Sequence, residues 1–488
     1  MHRAKKPGLI VSLIPLTVLI FLLVLNVIIF KDDATGGANQ IALLTTAFIT
    51  ALIGIFHLKV PYHFIEERII KSITTSLSAL IILFVVGTLI GIWILCGTVP
   101  AMIYFGLKLI NPSIFLPVAC VICSIVSVST GSSWSTSGTV GIALIGIGET
   151  LGLPSGAVAG AVISGAYFGD KMSPLSDTTN LAPAVAGVNL FDHIRHMLYT
   201  SGPAIIISII AFTILGFTYQ TQSLNTETVD LMLATIDSNF DISIWLFIPP
   251  VVVLFLVRKK VPALPAITIG VFIGILTALI FQRDMMTTLL GGNTDIKSFY
   301  TLITKVTYEG FVIDSGDETI NSLLNRGGMS GMLSTVWLIF SAMVFGGTLD
   351  ATGMLERVSR SILKLVRGTG SLIGATLGSC IVLNATASDQ YLAIVVPGKM
   401  FSKAFDKYGL DRRNLSRALE DSGTVTSVLI PWNSGGAYNS ATLGVPTLTY
   451  LPYCFFNILS PVISLFLATM NWTIIKKIEE SNEEVTEE

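Results

Sequence analysis

Apolar runs long enough to cross a bilayer recur along this chain from end to end, and they restrict the fold more than any other feature. The first, "GLIVSLIPLTVLIFLLVLNVIIF" (8–30), can span by itself. It is longer than the apolar core of a secretory signal and has no small-residue cleavage site, so it reads as a retained helix. Further runs fall near 41–58, 73–95, 98–110, 114–128, 138–151, 155–169, 201–219, 242–257, 263–281, 331–350, 371–386, 390–402, 415–430 and 447–470. In hydrocarbon every backbone N–H and C=O must find a partner inside the chain, so these runs predict α-helices and an all-α polytopic membrane protein. Several are too short for the ~20 residues that one crossing takes, which predicts broken helices or re-entrant hairpins and about a dozen crossings in all. The composition agrees: of 488 residues 52% are hydrophobic and 12% charged, half of the ~25% charged share of soluble proteins.

Other classes recede. A net charge of −2 leaves no nucleic-acid footprint. The five cysteines (Cys96, Cys120, Cys123, Cys380, Cys454) all lie in apolar context, so the CxxC of Cys120 and Cys123 reads as buried thiols rather than a metal or redox pair. His193 and His196 have the spacing of a metal pair but no third ligand nearby, and a solvated turn is the plainer expectation. No histidine falls inside a polar break and no HExxH occurs, which argues against a membrane-embedded enzyme. No cofactor and no resident metal is expected.

The linkers carry a charge pattern. Arg3, Lys5 and Lys6, then "RKK" (258–260), then the segment from Arg357 to Arg367 are basic, whereas 220–241 has Glu227, Asp230, Asp237 and Asp241 with no Lys or Arg. The positive-inside rule places the basic linkers and both termini in the cytoplasm and 220–241 outside. The expected organisation is N-terminal transmembrane helices over 1–72, a first repeat over 73–219, connecting helices and loops over 220–330, a second repeat over 331–470 and an acidic cytoplasmic tail over 471–488, its last stretch "EESNEEVTEE" reading as disordered.

The two repeats rest on a shift of 257 positions without gaps. It lays Gly141 on Gly398, Gly152–Leu153 on Gly409–Leu410, Pro174 on Pro431, Gly187–Val188 on Gly444–Val445 and Cys123 on Cys380. Most of these are Gly and Pro, where the backbone is constrained. Residues 399–417 carry Lys399, Lys403, Lys407, Arg412, Arg413 and Arg417, while the matching 142–160 carries only Glu149. One loop then reads as cytoplasmic and its counterpart as external, as an inverted-topology repeat requires.

Chemistry concentrates where polar segments interrupt the apolar runs: "STGSSWSTSGTVG" (129–141), "AYFGDKMSPLSDTTNLAP" (166–183), "LNATASDQY" (383–391) and "LEDSGTVTSVLIPWNSGGAYNS" (419–440). Irregular backbone at membrane depth is tolerated only when buried in protein or lining a cavity. Unwound helices there offer carbonyls to Na⁺ and N–H groups to anions. Charged groups in such places are expensive and usually functional, which singles out Asp170, Asp177, Asp389, Glu420 and Asp421. The plainer readings are that Asp170 pairs with Lys171, that Asp177 caps a helix, that Glu420 or Asp421 only pairs with Arg417, and that the hydroxyls serve close helix packing. Under the shift, Asp170 and Asp177 fall on Ser427 and Ser434, and Asp389 and Asp421 on Ser132 and Ser164, so an asymmetric site on a symmetric frame is expected.

"SGAYFGDKMSPLSDTTNLAPAVAGV" resembles the signature of the NhaC-type Na⁺/H⁺ antiporters. "GTGSLIGATLGSCIVLNATASDQYLAIVVPGKMF", "EDSGTVTSVLIPWNSGGAYNSATLGV" and "GIWILCGTVPAMIYFGL" (91–107) look like further parts of the pattern, which covers about 75–475. The resemblance implies a multi-pass secondary transporter of a prokaryotic plasma membrane, with the inverted repeats and re-entrant hairpins of the ion-transporter superfamily. It also implies Na⁺/H⁺ exchange. The same family includes malate/lactate antiporters, so a Na⁺/H⁺-coupled carboxylate exchanger is the alternative.

On this reading the transported ions are Na⁺ and H⁺, or these with a small carboxylate, in a lipid bilayer and without nucleic acid; a homodimer is compatible with it. The expected Na⁺ or substrate oxygens belong to Thr130, Ser132, Ser133, Thr136, Asp177, Thr178, Asn180, Asn384, Thr386 and Asp389, and the expected proton-linked carboxylates are Asp170 and Asp421.

Overall fold

The computed structural model describes residues 5–30, 36–109, 112–219, 226–259, 261–314, 321, 324–325, 327–364 and 366–477. Among these the chain is helical throughout; an isolated antiparallel bridge joins Leu410 to Lys476. Among the described residues, seven helices are long and apolar enough to cross a membrane, or up to ten if each of three bent pairs counts as one span. This falls short of the expected dozen because apolar runs merge across bends. The runs at 73–95 and 98–110 form one broken path, Leu80–Leu95 and Thr98–Lys108, bent by 66°. Gly97, at φ +77°, takes the left-handed conformation that the bend needs. The stretch "EESNEEVTEE" lies outside the described residues.

Ten helices frame the polar breaks. The first five are α1 (Pro112–Thr130), α2 (Ile142–Thr150), α3 (Ser155–Met172), α4 (Asp177–Ala186) and α5 (Leu190–Tyr219). The second five are α6 (Thr369–Thr386), α7 (Gln390–Lys407), α8 (Arg412–Leu419), α9 (Ser434–Leu443) and α10 (Phe455–Thr469). Shifted by 257, α4 coincides with α9 at both ends. The start of α1 falls on that of α6, the start of α3 on that of α8, and the end of α2 on that of α7. Gly152 and Gly409 are both left-handed, as are Gly187 and Gly444, and Gly131 (φ +70°) is matched by Ser388 (φ +58°). A serine held there is unusual, since L-residues are disfavoured in this region.

The interior contacts repeat too. The Ser127 hydroxyl donates to the Ala166 carbonyl at 2.6 Å, and at the matching positions the Asn384 amide donates to the Gly423 carbonyl at 2.7 Å. Gly165 lies against the backbone of Cys120, where any side chain would collide; its counterpart Ser422 donates to the Leu377 carbonyl at 2.8 Å. Small residues at these crossings let the helices approach closely, which is how helices pack when lipid supplies no hydrophobic drive between them. The two halves interlock: α4 packs on α7, and α9 packs on α2 and the π turn before it. Outside them, Tyr62–Leu95 packs against Leu333–Ala351, with Ala38–Leu52 on the latter and Ile296–Glu309 on the former.

Candidate ion site at the helix breaks

Each break begins with a cap. Ser132 accepts from the Ser135 N–H at 3.1 Å, opening a short helical turn (Ser133–Thr136) that runs through the π turn Ser137–Gly141 into α2. At the matching place Asp389 accepts from the Leu392 N–H at 2.9 Å and opens α7. Ser176 caps α4 and Asn433 caps α9. Ser, Asn and Asp suit these posts because a short side-chain oxygen reaches back to the orphan N–H groups of a first turn. The expectation that Asp177 caps a helix is corrected to its neighbour Ser176; Asp177 stands in the first turn of α4 with its carboxylate exposed.

Asp170 lies near the end of α3, 6% exposed, and its Oδ2 accepts from both the N–H (3.0 Å) and the hydroxyl (2.6 Å) of Ser133. The matching pair in the second half is neutral, Ser427 donating to Gln390 at 3.3 Å. Asp170 Oδ1 has no hydrogen-bond partner among the described residues. Asp177 Oδ2 accepts from the Tyr391 hydroxyl, and the Tyr391 ring stands within electrostatic range of Asp170 and Asp389 as well. Tyr391 escaped the sequence reading, although its place two residues after Asp389 is a fair signal.

Lys171 is the main departure from expectation. It does not pair with Asp170, its neighbour in sequence, because successive residues on a helix point in different directions. Its ammonium reaches across to α8's continuation, donating to Asp421 Oδ1 and, at 2.9 Å, to Ser460 of α10. Asp421 also accepts from Thr200 of α5 at 2.8 Å, and Arg417 Nε lies 4.0 Å from its other oxygen. Lys171, Asp421 and Arg417 are all fully buried. Arg417 donates to Thr473 Oγ1 at 3.0 Å, while its Nε and Nη2 have no hydrogen-bond partner among the described residues.

Glu420, singled out with the other acids but given no role among the expected site residues, opens the π turn Glu420–Thr424 and accepts from the Thr178 hydroxyl at 3.2 Å. His193 and His196 are also misread as solvated: both are buried on the first turns of α5, His193 Nδ1 lying 2.9 Å from the Ser416 hydroxyl of α8.

The remaining expected residues divide. Ser133 meets Asp170, and Thr178 meets Glu420. Asn384 is spent on structure, donating to Gly423 and Thr426 and accepting from Asn433 at 3.1 Å. The Asn180 amide donates to the Pro174 carbonyl at 2.9 Å and closes its own turn. The hydroxyls of Thr130, Thr136 and Thr386 donate to carbonyls of their own helical turns.

The buried acids and bases of the described residues do not balance. Asp170, Asp389, Glu420 and Asp421 stand against Lys171 and Arg417, two more carboxyls than strong bases, beside the imidazoles of His193 and His196. Buried charge without compensation is costly, so such a site calls for small cations.

Helices broken at depth around uncompensated carboxylates, in a multi-pass helical frame, define a secondary transporter, not an enzyme. The chain belongs to the Na⁺/H⁺ antiporter family, NhaC-type, whose family model matches residues 165–472. It is 37% identical to the Na⁺/H⁺ antiporter NhaC of Alkalihalophilus pseudofirmus, over 94% of this chain and 95% of that protein. It is 40% identical to the malate-2H⁺/Na⁺-lactate antiporter of Bacillus subtilis, over 93% and 92%. To the arginine/ornithine antiporter ArcD of Halobacterium salinarum it is 35% identical, over 98% and 96%.

Proposed function

We propose that this chain exchanges Na⁺ for H⁺ across a prokaryotic plasma membrane by alternating access of two inverted-topology repeats. The observation that carries the reading is the excess of two buried carboxylates over buried cations at the breaks. Protons and Na⁺ are the small cations that such oxygens hold, and they compete, since a protonated carboxyl is a poor ligand for a hard cation. Asp389 and Asp177, with hydroxyl and carbonyl oxygens of Ser132, Ser133 and Thr178, hold Na⁺. Asp170 is proton-linked, while Asp421 is neutralised by Lys171 and Arg417.

Inversion is supported by α5, whose 30 residues run about 45 Å. At its Leu190 end, Gly187, Val188 and Asp192 share a pocket with Asp406 and Leu410–Arg413, beside the Gly409 turn. At its other end Gly216 packs on Ser113, next to Phe115, Gly148 and Val158, beside the Gly152 turn. The matched turns thus flank opposite ends of one spanning helix. The Gly409 end carries Lys403, Lys407, Arg412 and Arg413, with Lys476 bridged to Leu410, so that end and the C-terminus are cytoplasmic.

The second reading, a carboxylate exchanger, is favoured by the 40% identity to a malate/lactate antiporter and by buried Arg417, whose Nη2 donates no hydrogen bond among the described residues. Everted membrane vesicles of a host without its own Na⁺/H⁺ exchange separate the two. Na⁺ alone collapsing a respiration-driven pH gradient supports the first reading; collapse that needs malate or lactate supports the second.

A further inference from the structure

We propose that the stacked pair Trp134–Tyr438 is the closed external gate of this transporter, and that the structure is its inward-facing state, with the face shared by α4 and α7 open to the cytoplasm. The sidedness rests on the orientation given above; the gate rests on contacts between the two repeats.

The shift of 257 that pairs the helices also lays Trp134 on Tyr391. Each is an aromatic residue two places after the cap that opens its break, Ser132 or Asp389. Each reaches over to the short helix of the other repeat. Trp134 stacks on Tyr438 of α9, with ring centroids 4.2 Å apart and planes 15° from parallel. The Tyr438 hydroxyl also donates to the Trp134 carbonyl at 2.8 Å. Tyr391 meets α4 instead, donating to Asp177. The frame thus builds the same contact between repeats twice, once from two rings and once from a ring and a carboxylate.

The two contacts lie toward opposite sides. α9 leads outward: Gly156, just past the Gly152 turn, packs on the backbone of Thr449, just past the end of α9. α4 leads to the cytoplasmic end, where Arg412 donates to the Ala186 carbonyl at 3.4 Å, beside the Gly409 turn.

They are not equally closed. Tyr438 is fully buried, as is α9 from Ser434 to Asn439, and Gly138 of the π turn lies directly against the Tyr438 hydroxyl. Tyr391, by contrast, is 38% exposed. Asp177, Asn180 and Ala184 are exposed along α4, and Lys399, Lys403 and Lys407 continue the exposed face of α7 below Tyr391. Their spacing by four keeps these lysines on one side of the helix. A carboxylate and a row of ammonium groups are too costly to turn toward hydrocarbon, so this face meets water rather than lipid.

Inverted repeats that differ in this way show one of the two states of alternating access. In the other state Trp134 leaves Tyr438, α9 is uncovered to the outside, and Tyr391 with Asp177 is covered as Tyr438 is here. A stacked pair and one hydrogen bond are modest interactions that can part in each cycle.

The test uses the purified full-length chain, reconstituted with known sidedness, and a membrane-impermeant maleimide added to one face at a time. The native cysteines are all buried and give a low background. Ala184→Cys, on the open face of α4, should label from the cytoplasmic side. Ala437→Cys, buried beside Tyr438, should label only from outside and at about a tenth of that rate or less, as a minor state allows. Adding Trp134→Ala should raise external labelling at position 437 about five-fold, the worth of a stacked pair, and lower cytoplasmic labelling at position 184. Trp134→Phe, which keeps a ring, should restore both rates. A loosened fold would raise labelling at both positions, so a rise at both overturns the proposal. No change at either position, or labelling of Ala184→Cys from outside, overturns it as well. The readout needs no transported solute: if Na⁺ moves no protons while the reciprocal change occurs, the exchange reading fails and the gate stands.

Discussion

Removing Lys171 tests the reading of the buried triad. Lys171 and Asp421 both have side chains with no solvent exposure, so Lys171→Met strips a counterion from a charge that water cannot reach. Breaking a buried pair from one side costs about 3–5 kcal/mol. Arg417 at 4.0 Å and the hydroxyls of Thr200 and Ser460 remain on Asp421, which places the expected cost at the low end, about 3 kcal/mol. That is roughly a hundredfold in the folding equilibrium. Asp421→Asn should cost more, because it leaves Lys171 and Arg417 facing one another without an anion. The double variant should cost less than the sum of the two, with a coupling of about 2 kcal/mol. Unfolding the four proteins reversibly in mixed micelles reads these values directly. Additivity within about 0.5 kcal/mol would refute the triad as described.

Other expectations follow from the same contacts. Asp389→Asn should keep the cap on Leu392, since an amide oxygen also accepts, and so fold normally while losing exchange; normal turnover would reduce Asp389 to a cap. Gly131→Ala should destabilise by at least about 1–2 kcal/mol, from its φ of +70° and a clash with the Leu175 backbone at 2.7 Å, whereas Ser388→Gly at the matching position should be neutral or stabilising in a thermal melt. At the Gly409 end, the hydrogen bonds from Arg412 hold the Asp406 carboxyl below the usual carboxylate range, and those from Arg413 do the same for Asp411. A depressed folded value stabilises above the unfolded value of about 3.9 and is lost as pH falls through the folded one. Wild type should therefore outlast Asp406→Asn above about pH 4 and lose that advantage below it, as melts across pH would show.

The sequence carried the frame further than the site. Apolar runs and the Gly and Pro matches at a shift of 257 were legible because backbone constraints leave fixed residue types behind, and the structure places element boundaries on the same shift. Asp170 and Ser133 were both named without being joined, since their meeting depends on how α3 packs beside the break after α1. Lys171 went to Asp421 instead of Asp170 for a reason that only three dimensions supply: its helix aims it at the turn after α8 and at α10. Glu420 was passed over in favour of Asp421 because adjacent acids look alike in a sequence, and only their partners tell them apart. His193 and His196 read as a solvated turn because charged neighbours, Asp192 and Arg195, mask the buried face of α5.

The central claim meets its most direct test in liposomes holding the purified chain, a pH-sensitive dye inside and no organic acid or amino acid on either side. An inward Na⁺ gradient should drive protons out and make the lumen alkaline, saturably with Na⁺ and not with K⁺ or choline. A lumen that stays at its starting pH until malate, lactate or another organic solute is supplied would contradict simple Na⁺/H⁺ exchange.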